Sequence, residues 1–559
     1  MTRWSVVFVV AVLSASCTCS KGGPPPPPIT RPSGVLLKAG ALSEQNNRSA
    51  VGLNLAQVAD WSTEHPFVDV FKTSRDWVSA HDGVWSDETP IDIDEHGWVR
   101  SLKPGQVVKA LALWETKHYP KGKYIVLYDG EGTIEYDEGP ASNRFLPDES
   151  RPGRHVVELD PARSENGMLL VLRSTNPSNY IRNIRVLLPG GVCENDFSRS
   201  CGDDSACGAN RCKSFESVYA TEPFNPVFLS RVRKFSALRF MDWMATNNSA
   251  IAEWKDRPKL DDARWTLRGV PLEMMIALSN RLSAEPWFTI PHRANDEYVR
   301  NFAAKVRADL DQGLRAWVEF SNEVWNPGFS QSREVAESCA GGRSAGDPYR
   351  GALVCYAERA IAIFEIWNKA FGAQSDRVVR VLASQAASSW ASDQILDHQE
   401  VFKRADVLAI APYFGVTADP ENSARIASMN VDALLKFTET DGLANAIKFI
   451  EEQATIAKKR GLKLVAYEGG PAFDAVPGSE NHDKINALFD AINRDPGWRC
   501  ALGFLQWKTS GGGVFLHFEI VANRFQNGSA GGCSNTSINL QAMAKYRQVV
   551  NVETNPRWW

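Results

Sequence analysis

Ala316-Trp317-Val318-Glu319-Phe320-Ser321-Asn322-Glu323-Val324-Trp325-Asn326 is the stretch on which the fold turns. Its first half is β-branched and aromatic with partial alternation, which predicts a short strand, and it stops at a polar Ser-Asn-Glu before Pro327 and Gly328 break the chain. A carboxylate is thereby offered at a strand's carboxyl end. In (β/α)8 barrels that end is where chemistry sits, so an Asn-Glu pair flanked by tryptophans points to a sugar-cleaving acid rather than a surface charge. Such an acid needs a second carboxylate. Gly461-Leu-Lys-Leu-Val-Ala-Tyr-Glu468-Gly-Gly repeats the design, an apolar strand ending in a glutamate with glycines that let the next loop turn sharply.

Around these two segments the chain alternates helix and strand. From Phe224 onward, helices expected at Pro226–Lys234, Pro271–Leu282, Asp296–Leu310, Tyr349–Phe371, Ala391–Arg404, Val431–Lys459 and Ile485–Ile492 each precede an apolar run. Those runs are Phe235–Asp242, Pro286–His292, the Glu323 strand, Val378–Leu382, Val407–Tyr413, the Glu468 strand and Ala501–Trp507; Leu540–Val550 is a closing helix. With Val51-Gly-Leu-Asn-Leu-Ala-Gln-Val as the first strand, this gives the eight that a closed parallel barrel needs. An open doubly wound sheet would want a glycine-rich phosphate turn after its first strand, which is absent.

Between the first and second barrel strands the rhythm breaks. Short strands at Val107–Trp114, Tyr124–Tyr128, Thr133–Tyr136, His155–Leu159, Met168–Leu172 and Ile181–Leu188 read as a small antiparallel β-sandwich over 85–190, inserted into a barrel of 49–84 and 213–559. Such a sandwich either binds carbohydrate or braces the enzyme. The run Asp92-x-Asp94-x-His96-Gly97 has the look of a calcium loop but lacks the distant glutamate that would close it, so a turn is expected. Cys193, Cys201, Cys207 and Cys212 crowd into 191–212 and predict a two-bridge disulfide segment; their spacing is not the CxxC pairing of a zinc ribbon, and no metal or cofactor is expected. Cys339 with Cys355 and Cys500 with Cys533 are candidate loop staples.

The remaining features bound the setting. A chain of 559 residues at 43% hydrophobic predicts one large domain and one smaller. A net charge of -4 without any Lys/Arg run excludes a nucleic-acid partner. Residues 1–19, with Arg3 ahead of the apolar run Val6–Leu13, read as an export signal, and 20–48 as a proline-rich tether. Cys17 follows Ser-Ala-Ser, but Leu13 lies one position too far upstream for a lipoprotein cleavage site, so a lipid anchor at Cys17 and free secretion stand as alternatives. A secreted or outer-surface monomer is the expectation. Eighteen tryptophans offer flat faces suited to pyranose rings, with Trp243, Trp325 and Trp390 as candidate platforms.

At the barrel mouth, Glu323 would serve as the acid and then the base. Glu468, with Arg239 and Tyr413 as donors, would stay ionised as the nucleophile. Asn322 would bind a sugar 2-hydroxyl, His292 would reach the pocket, and Trp507, ending the eighth strand, would floor the glycone subsite. Asp60 and Asp242 are further candidates for sugar hydroxyls. Taken together, the Asn322-Glu323 strand end, Glu468, Arg239, His292, Tyr413 and Trp507 resemble the retaining glycoside hydrolases of clan A, with the cellulase and mannanase families nearest in pattern. The phrases Asp60-Trp-Ser-Thr-Glu-His-Pro-Phe-Val-Asp-Val-Phe-Lys, Leu238-Arg-Phe-Met-Asp-Trp-Met and Ser321-Asn-Glu-Val-Trp-Asn resemble a set of exported bacterial proteins often labelled cellulose-binding. The resemblance implies acid/base for Glu323, nucleophile for Glu468, substrate contact for Asn322 and Trp507, and nucleophile positioning for Arg239 and Tyr413. The four-cysteine segment departs from that group. A polysaccharide or oligosaccharide is the expected partner. The competing readings are a non-catalytic carbohydrate-binding protein on the same scaffold and a cell-surface scaffold protein. Two opposed acids disfavour the carbohydrate-binding one, since a lectin gains nothing from their repulsion.

Overall fold

The structure, a computed structural model, describes residues 51–62, 64–81, 84–114, 119–136, 143–161, 167–338, 346–475, 481–494 and 507–518. The segments expected as export signal and tether, the expected closing helix, residues 501–506 of the expected eighth strand, and Cys17, Cys339, Cys500 and Cys533 lie outside them.

Eight parallel strands close into a barrel. In chain order they are β1 (Val51–Asn54), β2 (Ala237–Arg239), β3 (Glu285–Ile290), β4 (Ala316–Phe320), β5 (Val378–Ala383), β6 (Val407–Ile410), β7 (Lys463–Ala466) and β8 (Phe515–Phe518). Closure is made by β1, which pairs with β2 through Leu53 and Leu238 and with β8 through Val51 and Phe515. The side-chain period of two sorts each strand. On β4, Ala316, Val318 and Phe320 join the large core under the outer helices, while Trp317 joins the barrel interior, where its ring stacks on Trp287 at 5.0 Å. Glu319 shares the inward face and is fully buried.

The eighth strand corrects the sequence reading. It is Phe515–Phe518, and Trp507, the one described residue of the expected strand, lies in a short helical turn ahead of it. The physical reason is the glycine run at 511–513, which permits a turn no other residue fits. A Cβ on Gly512 would stand 2.2 Å from the Trp507 ring, and Gly511 has φ of +84°. The chain then enters the barrel with the Gly513 amide donating to the Leu464 carbonyl and Val514 accepting from Ala466.

Above the mouth, Tyr413–Ala418 and Gly470–Ala475 continue from β6 and β7 as a separate parallel pair. Gly415 allows this approach, because a Cβ there would sit 1.7 Å from the Ala472 carbonyl oxygen. The pairing sets Tyr413 opposite Gly470, two residues past Glu468.

The insertion is two four-stranded antiparallel sheets facing each other. One runs 78–80, 107–113, 168–175, 132–136 in spatial order; the other runs 182–187, 122–129, 154–159, 143–145. Val78–Ala80, ahead of residue 85, is thus an edge strand of the sandwich rather than a piece of the barrel. Between the sheets lies a second core that also takes in Val68, Val70 and Phe71 from the link after β1. A three-stranded sheet of 196–201, 191–193 and 212–214 follows, carrying the disulfides Cys193–Cys207 and Cys201–Cys212. No described helix is long and apolar enough to cross a membrane.

Candidate active site

Arg239, at the end of β2, is the hub of the mouth and has no exposed surface. Its Nε and Nη2 donate to both oxygens of Glu319 at 3.0 to 3.1 Å, its Nη1 donates to Glu468 Oε2 at 3.1 Å and to Asn54 Oδ1 at 3.2 Å, and Nη2 also reaches Asn322 Oδ1 at 2.8 Å. Asn54 Nδ2 in turn donates to the Tyr467 carbonyl at 2.8 Å. The guanidinium lies over the Tyr467 ring at 4.8 Å. Burial alone would lower Arg239, but Glu319 and Glu468 outweigh it and raise its pKa.

Glu323 and Glu468 follow β4 and β7 and belong to one hydrogen-bonded network. Tyr467 OH donates to Glu323 Oε1 at 2.7 Å and Asn326 Nδ2 donates to Oε2 at 2.9 Å. On the other side, Tyr413 OH donates to Glu468 Oε1 at 3.1 Å. Ser321 and Glu323 both adopt left-handed backbone, with φ of +59° and +43°. For residues with side chains this is an uncommon conformation, stored where the strand end is over-determined by its neighbours. Gln331 is one such neighbour: its side-chain amide donates to the Asn322 carbonyl at 2.9 Å and to Asn247 Oδ1 at 2.8 Å, which also accepts from Asn322 Nδ2 at 3.0 Å.

The electrostatics differ from the sequence expectation that Arg239 and Tyr413 keep Glu468 ionised. Glu468 is pushed up to about 8, first by burial, then by the charge of Glu323, with Arg239 opposing and Asp242 adding to the rise. Arg239 offsets only part of the burial, because it is shared with Glu319. Glu319 takes a bidentate hold on Arg239 and an additional bond from Trp287 Nε1 at 2.8 Å, so the guanidinium is already neutralised when it meets Glu468. Glu319 itself is raised by desolvation, with Arg239 pulling it back. Glu323, bonded to Tyr467 and Asn326, contributes to the rise of Glu468 through its charge, as a neighbouring carboxylate does. Asp242 is pushed up to about 6 and Glu64 to about 8, both chiefly by burial, and each carboxylate also feels its acidic neighbours or Arg239.

Glu323, Glu468, Asn322, Arg239 and Tyr413 are thus joined through direct hydrogen bonds and Tyr467. Two other candidates have other partners. His292 Nε2 sits 2.9 Å from Glu334, which also binds Arg293, and burial lowers the ring's pKa. Trp507 is fully buried in the main core, donates from Nε1 to the Gly513 carbonyl at 2.9 Å and meets Phe515 edge-on, so it offers no free face. Trp243 is likewise core, packed among Phe67, Phe228 and Phe240, whereas Trp390 is exposed and stacked on Tyr349. Asp60 is engaged by Arg75 Nη2 at 2.8 Å.

Sequence reasoning missed Glu319, Tyr467 and Asn54. The signal for Glu319 was available: a charge in register with Trp317 on the inward face of an apolar strand has nowhere to go but a buried partner.

No family profile matches the sequence, and no curated protein matches it. Among solved structures, the chain is similar to an endo-β-1,4-mannanase double mutant of Cellulomonas fimi at 14% identity and a TM-score of 0.27, over 47% of this chain and 46% of that one, less than half of the mannanase. It is similar to a fungal β-1,4-galactanase at 10% identity and a TM-score of 0.32, over 59% and 91% of the two chains. With xylanase B of Clostridium stercorarium F9 the values are 11% and 0.33, over 58% and 92%. Likeness at this level carries no argument about chemistry; the barrel rests on its own strand pairing.

Proposed function

We propose that this chain is a retaining glycoside hydrolase that cleaves β-linked poly- or oligosaccharides by double displacement. The observation that carries the reading is a pair of glutamates, after β4 and β7 at the same end of one closed barrel, in a network built on Tyr467 and Arg239, with Glu468 pushed up to about 8 by burial and then by the charge of Glu323. In the reactive tautomer the proton is on Glu323 and Glu468 is ionised, held by Arg239 and Tyr413. The Glu468 carboxylate attacks the anomeric carbon while Glu323 gives its proton to the departing glycosidic oxygen. Glu323, now ionised, takes a proton from water as that water attacks the same carbon, and the Glu468 ester bond breaks with the original configuration restored.

Asn322 suits a 2-hydroxyl contact. Its Oδ1 is taken by Arg239 and one amide hydrogen by Asn247, which leaves the second amide hydrogen for a sugar oxygen. In this reading the barrel carries the chemistry, the sandwich braces it, and the protein acts as a monomer outside the cytoplasm, lipid-anchored at Cys17 or free.

The test is Glu323→Gln and Glu468→Gln against wild type on a panel of aryl β-glycosides and polysaccharides, with anomeric configuration followed by NMR. Retained configuration in the wild type and loss of turnover in both variants are expected. Inverted product, or a wild type that retains glycan on affinity gels yet hydrolyses none, would replace this reading with an inverting enzyme or a carbohydrate-binding protein.

A further inference from the structure

Where the sandwich meets the barrel, the turn that carries His96 docks on the loop Lys259–Asp262, and the Ala263 amide donates to the His96 carbonyl at 2.8 Å. His96 Nδ1 lies 3.4 Å from Asp261 Oδ2 and 3.9 Å from Asp262 Oδ1, and these ligand atoms all lie within 4.8 Å of one another. Two atoms in this cluster lack what burial demands. Asp262 Oδ1 and His96 Nδ1 are both shielded from solvent without a hydrogen-bond partner, and the Asp262 side chain is only 6% exposed.

We propose that His96, Asp261 and Asp262 bind one divalent cation of the zinc class, fastening the sandwich to the barrel. For metal–nitrogen and metal–oxygen bonds of about 2.0–2.2 Å, neighbouring ligands of a tetrahedral ion stand roughly 3.3–3.6 Å apart. The His96–Asp261 separation already falls there and the His96–Asp262 separation needs only a small closure. An imidazole with two carboxylates is a donor set for zinc or a similar borderline ion rather than calcium, which takes oxygen ligands in greater number. Glu95 Oε1 stands 3.7 Å from His96 Nε2, favouring the tautomer that bears its proton on Nε2 and turns the Nδ1 lone pair toward the aspartates.

The ligands are held before any ion arrives. Asp262 Oδ2 accepts from the Lys259 amide at 2.8 Å, leaving Oδ1 as the open atom, and Asp94 Oδ1 accepts from the His96 and Trp98 amides at 2.9 and 2.8 Å. Two cations are close by. Lys72 Nζ is committed to the Asp262 backbone carbonyl at 2.6 Å, and Arg268 Nη2 is 3.7 Å from Oδ2, so neither satisfies Oδ1. His96 and Asp261 keep 25% and 21% of their side chains exposed, which gives the ion an entrance and a water for its fourth position.

The experiment uses the full chain, stripped with chelator, dialysed against Zn2+ and then freed of excess. One zinc per wild-type chain above the amount held by His96→Gln and Asp262→Asn is expected, with a thermal midpoint raised by zinc in the wild type alone. Asp261→Asn should weaken binding roughly tenfold or more. Equal zinc in wild type and His96→Gln, or none in either, overturns the proposal, because a proton on His96 then satisfies the cluster. Should the variants fail to fold, Co2+ added to the wild type decides. A visible ligand-field band with paramagnetically shifted imidazole protons is expected, and a spectrum unchanged from free Co2+ overturns the proposal.

Discussion

The barrel mouth and the β-sandwich solve opposite problems with the same residue types. At the mouth, Glu319, Glu323, Glu468 and Asp242 gather around one guanidinium, and burial raises three of them above the ordinary carboxylate range. In the sandwich, acids meet bases near water: Arg144 with Glu158, Arg173 with Glu135, Lys123 with Glu149. Surface pairs of that kind contribute little, ~0–1 kcal/mol each, so the sandwich draws its stability from the apolar layer between its sheets. An excess of buried like charge is expensive to keep and useful only where a proton must be moved, which separates a region built for chemistry from one built for support.

The largest effect that could break this contrast is loss of turnover. Glu468→Gln removes the nucleophile and Glu323→Gln the proton donor; general acid–base groups contribute about 10²–10⁴-fold, and loss of the nucleophile should exceed that. Steady-state kinetics on an activated aryl glycoside would check both. An activated leaving group needs little protonation, so Glu323→Gln should retain more activity on it than on an unactivated glycan, whereas Glu468→Gln should be inactive on both.

Next comes Glu319→Gln, which sharpens the electrostatic argument. Removing the buried charge leaves Arg239 with an unneutralised positive charge, and that charge then favours ionised Glu468. The basic limb of kcat/KM, expected near pH 8 from the last proton of the glutamate pair, should move to lower pH. Breaking one partner out of a buried pair also destabilises, typically by about 3–5 kcal/mol, less here because Glu468 remains. A pH profile whose basic limb does not move would mean that Glu319 acts by packing alone.

A smaller effect follows from linkage. Glu468 and Glu64 have folded-state pKa values of about 8 against an ordinary 4.5. The folded chain therefore binds more protons than the unfolded chain between those values, and stability falls as pH rises across that window. Thermal midpoints taken from pH 5 to 8 should decline, and Glu468→Gln should flatten the decline. A midpoint that rises over the same range would show that these carboxylates are paired, not frustrated.

How much of this was legible beforehand follows from local chemistry. Seven of the barrel strands, and the placement of Glu323 and Glu468 at two of their ends, could be read because apolar runs, helix periods and polar stops agree with one another there. The eighth was misplaced because the apolar run Ala501–Trp507 reads as the strand, whereas the glycines at 511–513 turn the chain around the Trp507 ring into Phe515–Phe518. That misplacement carried Trp507 into the pocket on paper and into the core in space. The protonation pattern was out of reach for a different reason: whether Arg239 supports Glu468 depends on what else it holds, and Glu319 becomes its partner only once β2 and β4 are brought across the barrel. A buried charge can be read from local pattern, but which residue distant in sequence will pair with it cannot.

The smallest expected effect tests the sandwich side of the comparison. His155 bridges two tyrosines, with Tyr128 OH 3.0 Å from Nε2 and Tyr136 OH 2.9 Å from Nδ1, and its ring lies edge-on to Phe145 at 5.0 Å. Burial lowers its pKa, so it bridges as the neutral ring, donating to one hydroxyl and accepting from the other. His155→Ala strands both hydroxyls in a largely buried place, at a cost of about 1–3 kcal/mol each when no water replaces the partner. The thermal midpoint should fall while kcat/KM on soluble oligosaccharides stays at the wild-type value, because nothing in this cluster reaches the glutamate pair. Should turnover on a polymeric glycan drop while turnover on a short aryl glycoside holds, the exposed Phe145 beside this histidine would be gripping polysaccharide, and the sandwich would be a binding surface rather than a brace.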